Sequence, residues 1–161
     1  MRVTKATLSD IDQVMAIYAM AVRYMQENGN PTQWQGGYPF REIVEEDISL
    51  GRLYLLRNDN SEIIAQFCFY IGDDPTYAYI DGQWLNDNSY GVVHRIASSG
   101  KTRSVAKICL DWCFSEHPNI RIDTHSDNHK MQQTLRESGY VECGEIIVYN
   151  GTRRVAFQRT K

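Results

Sequence analysis

The stretch Gly91-Val92-Val93-His94-Arg95-Ile96-Ala97-Ser98-Ser99-Gly100-Lys101-Thr102-Arg103-Ser104-Val105-Ala106 organises the reading of this chain. Its first part predicts a strand over 89–98, in which Tyr90, Val92, His94 and Ile96 share one face because strand side chains alternate. A helix is predicted from about Ser104 to Glu116, with Val105, Ile108, Cys109, Trp112 and Cys113 on one side. His117-Pro118-Asn119 ends it, since proline cannot continue a helix. Between strand and helix, Lys101 to Ala106 leads into a helix N-terminus, where free N–H groups and the helix dipole favour an anion. Gly100, Ser104 and Ala106 are small enough for close approach, and Lys101 and Arg103 add charge. Read plainly, the same turn is an ordinary loop with solvated cations. The G-x-x-x-x-G-K-S/T spacing of a phosphate loop is absent.

Upstream, residues 2–6 predict a short strand, and Thr7 with Asp10 a helix start. Ile11, Val14, Ile17, Tyr18, Ala21, Val22 and Met25 make an apolar stripe that stops at Asn28-Gly29-Asn30-Pro31. In the loop 29–39, Trp34 and Tyr38 either line a ligand site or pin the loop onto the core. A short helix over 40–50 precedes strands at 52–57, 63–71 and 76–81, with Asn58-Asp59-Asn60 as a turn. Downstream come a strand at 120–124, a helix over 127–138 capped by Gly139, and a hairpin of 143–149 with 153–159 around Asn150-Gly151. A meander followed by alternating strands and helices gives an α+β or mixed α/β class in one domain over 1–161.

Composition narrows the function. The 161 residues carry 17 basic and 20 acidic side chains, a net charge of −3. That argues against a general nucleic-acid binder and mildly favours a cationic partner. Apolar runs are too short to span a membrane, and the N-terminus lacks the apolar stretch of a signal peptide, so a cytoplasmic protein is expected. Cys68, Cys109, Cys113 and Cys143 sit in apolar surroundings and read as buried reduced thiols. The spacing Cys109-x3-Cys113-x11-His125-x3-His129 comes near a zinc pattern, but both cysteines fall on a helical stripe beside Trp112. No metal is expected.

The strand Val93 to Ala97, the turn Lys101-Thr102-Arg103-Ser104-Val105-Ala106 and the helix through Cys109-Leu110-Asp111-Trp112 resemble the acetyl-CoA motif of the GNAT superfamily of N-acetyltransferases. Lys101 stands where the family has Arg or Gln, and Ser104 where it has its first glycine. A second resemblance lies in Ile120 to Asn128, followed by Met131, Leu135, Gly139-Tyr140 and Cys143-Gly144-Glu145-Ile146. The element order matches over essentially the full chain. The resemblance implies a mostly antiparallel sheet whose two parallel central strands splay around the cofactor, flanked by about four helices. It implies that backbone groups of Ile96 and Ala97 hold the pantetheine arm, that N–H groups from Lys101, Thr102, Arg103, Ser104, Val105 and Ala106 hold the pyrophosphate, and that Asn128 contacts the sulfur end.

The implied chemistry is direct attack of a primary amine on the thioester of acetyl-CoA. Many family members have a tyrosine acid seven residues after the Asn. Here that position is Leu135, and Tyr140 reads as packing, so the acid stays open. For the base, His94 comes first, since a histidine ionises near pH 6.5 in general. Tyr90 on the same face and Asp81 are the other catalytic candidates, while Asp123 and His125 rank below them. His94 also fits an ion-paired histidine beside the sheet, and Asp81 a turn aspartate. Trp34, Tyr38 and Trp84 are expected to wall the pocket of a small-molecule, amino-acid or peptide amine. A homodimer through the terminal hairpin is compatible with a free strand edge. The rival reading is a non-catalytic acyl-CoA-binding sensor or partner module.

Overall fold

Alternation along the strands gives the sheet two apolar faces, each covered by a pair of helices. The computed structural model describes residues 1–161. In chain order the elements are β1 (Arg2–Lys5), α1 (Ile11–Glu27), α2 (Arg41–Ser49), β2 (Leu53–Arg57), β3 (Ile63–Ile71), β4 (Asp81–Gly82), β5 (Gly91–Ser98), α3 (Val105–Glu116), β6 (Asn119–Thr124), α4 (His129–Glu137), β7 (Val141–Ile147) and β8 (Arg153–Thr160). The eight strands form one sheet in the order β1-β2-β3-β5-β6-β8-β7-β4. Only β5 and β6 run parallel; the other neighbours are antiparallel. The mixed, mostly antiparallel sheet with four helices is as expected. No helix is long and apolar enough to cross a membrane.

On one face, Leu53 and Leu55 of β2 meet Val14, Ile17 and Tyr18 of α1 and Val44 of α2. On the other, Phe67, Ile120 and Phe157 meet Cys109, Leu110 and Cys113 of α3 and Leu135 of α4. A smaller cluster holds Tyr77, Tyr90, Ile146 and Ala156. Strand β5 contributes Val93, Ala97 and Val92 to the three clusters respectively. Each of the two valines contributes about 1.5–3 kcal/mol when fully buried. The strand that carries the site is therefore anchored from three directions. Cys68, Cys109 and Cys113 are buried free thiols and Cys143 is half-buried.

Two expectations are corrected. The segment 76–81 is not a strand. Asp74 accepts hydrogen bonds from the Thr76 N–H at 2.8 Å and the Thr76 hydroxyl at 2.7 Å, and Pro75 follows it, which starts a 3-10 turn over Pro75–Tyr77. Only Asp81–Gly82 then pairs, against Gly144 and Glu145 on the outer edge of β7. A Cβ on Gly82 or Gly144 would run into the backbone of the facing strand, so this contact needs glycine on both sides. Second, Ile96 does not share the face of His94. Gln66 pairs with Ala97 and Cys68 with His94, so Phe67 faces two residues, Arg95 and Ile96, and Arg95 has φ of 52°. This bulge reverses the alternation. Tyr90, Val92 and His94 keep one face, while Ile96 packs against the α3 side.

The parallel pair is short. Only Gly91 with Ile120 and Val92 with Arg121 are in register. Beyond them β5 and β6 diverge, and the β6-facing backbone groups of residues 93–97 have no ladder partner.

Candidate active site

The divergence of β5 and β6 opens a cavity of about 240 Å³. Val93, His94 and Ile96 line it from β5, and Ile122, Asp123 and Thr124 from β6. Trp34 and Tyr38 of the loop before α2, Tyr149 of the β7–β8 turn, Asn128 and Arg154 close its sides.

His94 sits between two carboxylates. Its Nε2 is 2.7 Å from Asp74 Oδ2, and its Nδ1 is 3.9 Å from Asp123 Oδ2. Tyr77, fully buried, donates its hydroxyl to Asp123 Oδ2 at 2.6 Å. Burial and the Asp123 charge push the Tyr77 hydroxyl well above its ordinary range, so it stays a donor. Asp74 is itself fixed, because its own N–H donates to the Tyr90 hydroxyl at 3.0 Å. Burial opposes its charge, but the hydrogen bond and charge of His94 and the bonds from Thr76 prevail and hold its carboxyl at about 2. An ionised Asp74 accepts the proton on Nε2, and this assigns the neutral tautomer in which Nδ1 carries the lone pair.

The bulge ties the opposite wall to the sheet. Arg95 pairs with Asp47 of α2 at 2.6 Å and donates to the Tyr38 hydroxyl at 3.0 Å. Tyr18 of α1 donates to the Arg95 carbonyl at 3.3 Å. Trp34 packs edge-on against Tyr18 with ring centroids 5.7 Å apart, so it pins the loop as well as lining the cavity. Asn128 caps α4 by accepting the Met131 N–H at 3.1 Å, and its amide donates to Gln33 Oε1 at 3.0 Å. Arg154 is buried and donates to the Gln33 carbonyl at 3.0 Å. Burial pulls its pKa down, and the Asp123 charge works against that shift.

The turn after β5 is made of backbone. Ser104, the N-cap of α3, has φ of 60° and ψ of 19°, a left-handed conformation that glycine adopts without strain. None of the N–H groups of residues 102–107 has an acceptor within the chain. Arg103 is exposed, and Lys101 reaches Glu62 at 3.2 Å.

Of the residues singled out in the sequence, the fold brings His94, Asp123, Ile96, Trp34, Tyr38 and Asn128 to one cavity. Tyr90 lies behind it, buried, holding Asp74. Asp81 lies outside the lining on exposed β4, where it pairs with Arg153 at 3.5 Å. Trp84 also lies outside: its indole donates to the Tyr77 carbonyl at 3.1 Å, and Arg121 stacks on its ring at 4.3 Å. His125 turns to Thr32 and Asp127. Ala97, Leu135 and Tyr140 are in the core. Sequence reasoning missed Asp74, Thr76 and Arg154. Asp74-Pro75 carried a turn-start signal. Arg154 shares the inward face of β8 with the buried Ala156 and Gln158, an unusual place for a charge.

No protein-family model and no curated protein sequence matches the chain. Solved structures do. A GNAT-family acetyltransferase from Streptococcus agalactiae is 31% identical, with a TM-score of 0.89, over 99% of this chain and 95% of that one. A ribosomal-protein-alanine N-acetyltransferase from Brucella melitensis shares the fold at 14% identity and a TM-score of 0.65, over 100% of both chains. AAC(6')-Ib, solved with ribostamycin and coenzyme A, shares it at 14% identity and a TM-score of 0.67, over 99% of this chain and 92% of that one. With the splayed sheet and the left-handed turn at Ser104, the likeness over nearly the whole length to the streptococcal protein settles the family: the chain belongs to the GNAT acetyltransferases.

Proposed function

We propose that this acetyltransferase moves an acetyl group from acetyl-CoA to a small primary amine, with His94 as the base and Asp74 as the residue that positions it. The observation that carries this is His94 held between Asp74 and Asp123 where β5 and β6 part. The cofactor fits the residues present. The β6-facing backbone of residues 93–97, which has no ladder partner, suits an extended amide-bearing arm, and the free N–H groups of 102–107 suit a pyrophosphate. Bound there, acetyl-CoA would supply the acetyl group as a thioester activated toward an amine, with coenzyme A thiolate as the leaving group.

The chain's own task is the proton. An amine of pKa near 10 is only about 0.1% neutral at pH 7. His94 Nδ1 takes the proton from the nitrogen, and the resulting imidazolium lies between Asp74 and Asp123. Asp123 is placed to receive the ammonium on arrival.

Thermal unfolding with acetyl-CoA, followed by thiol release against a panel of primary amines, tests the reading. At 100 times its dissociation constant, acetyl-CoA should stabilise the protein by about 2.7 kcal/mol, and ATP should not reproduce the shift. Thiol release matched by acetylated amine is then expected. A protein that binds acetyl-CoA and acetylates no amine of the panel contradicts the proposal.

A further inference from the structure

Arg154 is the cavity cation without a salt-bridge partner; the other, Arg95, pairs with Asp47. Arg154 is only 6% exposed, its Nη2 donates to the Gln33 carbonyl, and its Nη1 is buried with no hydrogen-bond partner. A guanidinium keeps its charge and presents its donors as a rigid fork. Burying that fork with a free arm is costly unless an acceptor arrives.

Its position says what kind of acceptor. Ala156 pairs with Asp123 across β8 and β6, so Arg154, two residues along β8, shares the face of Asp123. The cavity thus offers carboxylates around His94 and a lone guanidinium on the same side of the sheet. The turn at 101–106 contributes nothing to this lining, so the anion that Arg154 awaits is separate from a pyrophosphate held there. Tyr149, mostly exposed on the β7–β8 turn, stands with its ring 5.7 Å from that of Tyr38 at the rim beside Arg154.

We infer that the acceptor is a small amino-carboxylate: its amine is received between His94 and Asp123, and its carboxylate takes the free arm of Arg154. This rests on the acceptor site proposed above and narrows it. A peptide N-terminus or a plain amine lacks the second group. A net-acidic chain is compatible with such a substrate, because only the cavity must hold the cation that reads the carboxylate.

Matched acceptors test this: an α-amino acid against its amide and its decarboxylated amine, with saturating acetyl-CoA. The wild-type protein should prefer the carboxylate member by about 10- to 100-fold in kcat/KM, chiefly through KM. In Arg154→Gln that ratio should fall towards one, and Arg154→Lys should keep part of it. Equal use of the three acceptors by the wild-type protein, or an unchanged ratio in Arg154→Gln, overturns the inference and leaves the amine acetyltransferase standing. A readout free of turnover separates the two. N-acetyl amino acids, with coenzyme A present, should raise the unfolding temperature more than their amides, and this difference should vanish in Arg154→Gln. No such difference in the wild-type protein also overturns the inference, whether or not any amine is acetylated.

Discussion

The two stretches that follow the Arg95 bulge and precede it make opposite kinds of site. After it, the turn at 101–106 presents main-chain N–H groups at a helix end, with Lys101, Arg103 and Ser104 exposed around them. Before it, His94 stands in a network of side chains drawn from distant parts of the chain: Asp74 and Tyr77 from the 3-10 turn, Tyr90 from the segment before β5, and Asp123 from β6. A backbone grip depends on conformation and space, so it tolerates lysine for arginine and serine for glycine. A side-chain network depends on identity, so one substitution alters the chemistry. In the proposed mechanism, the binding of a shared cofactor and the choice of acceptor are thereby separated along a single strand.

Substitutions in the two regions should break this comparison in different ways. The largest effect belongs to Ser104→Phe. A bulky side chain at a left-handed cap should abolish acetyl-CoA binding while the circular dichroism spectrum stays native; normal affinity in that variant would misplace the turn. Next comes Asp74→Asn, expected to lower kcat by about 10²-fold while acetyl-CoA affinity holds. It also has a pH signature. The Asp74 carboxyl is held at about 2 against an ordinary value near 3.8, so its stabilisation is complete above about pH 4 and is lost as pH falls through about 2. Thermal unfolding of the variant should be lower than wild type at neutral pH, with the gap closing between pH 4 and 2. A smaller gain is expected from Ser104→Gly, which relieves the left-handed backbone and should raise stability by about 1 kcal/mol. Smallest is Asp81→Asn. An exposed carboxylate outside the cavity should leave turnover within twofold and stability within about 0.5 kcal/mol, and a large loss of turnover would return Asp81 to the chemistry.

The same contrast explains what was legible in the sequence. The turn is local, and its small residues, its cations and the helix behind it lie in one run from Gly100 to Glu116. The hydrophobic periods gave α1 and β3 for the same reason. The cavity around His94 is assembled from separations of 20 to 121 residues, such as His94 with Asp74 and Arg154 with Gln33. Pattern reading singled out His94 by its residue type, and the structure places it in the cavity, but no pattern pointed to its partner Asp74. The expected strand at 76–81 hid Asp74, whose role as a cap depends on Pro75 and Thr76 together. The bulge at Arg95 was also invisible, since one extra residue changes which side chains share a face without leaving a signature in composition.

The most direct measurement is the acetyl-CoA dissociation constant and the kcat of His94→Ala, taken side by side with the wild-type protein. The account predicts an affinity within twofold of wild type and a kcat lower by about 10²- to 10⁴-fold at neutral pH. A kcat that survives the substitution, or an affinity lost together with it, would contradict the division between a backbone grip and a side-chain reaction site.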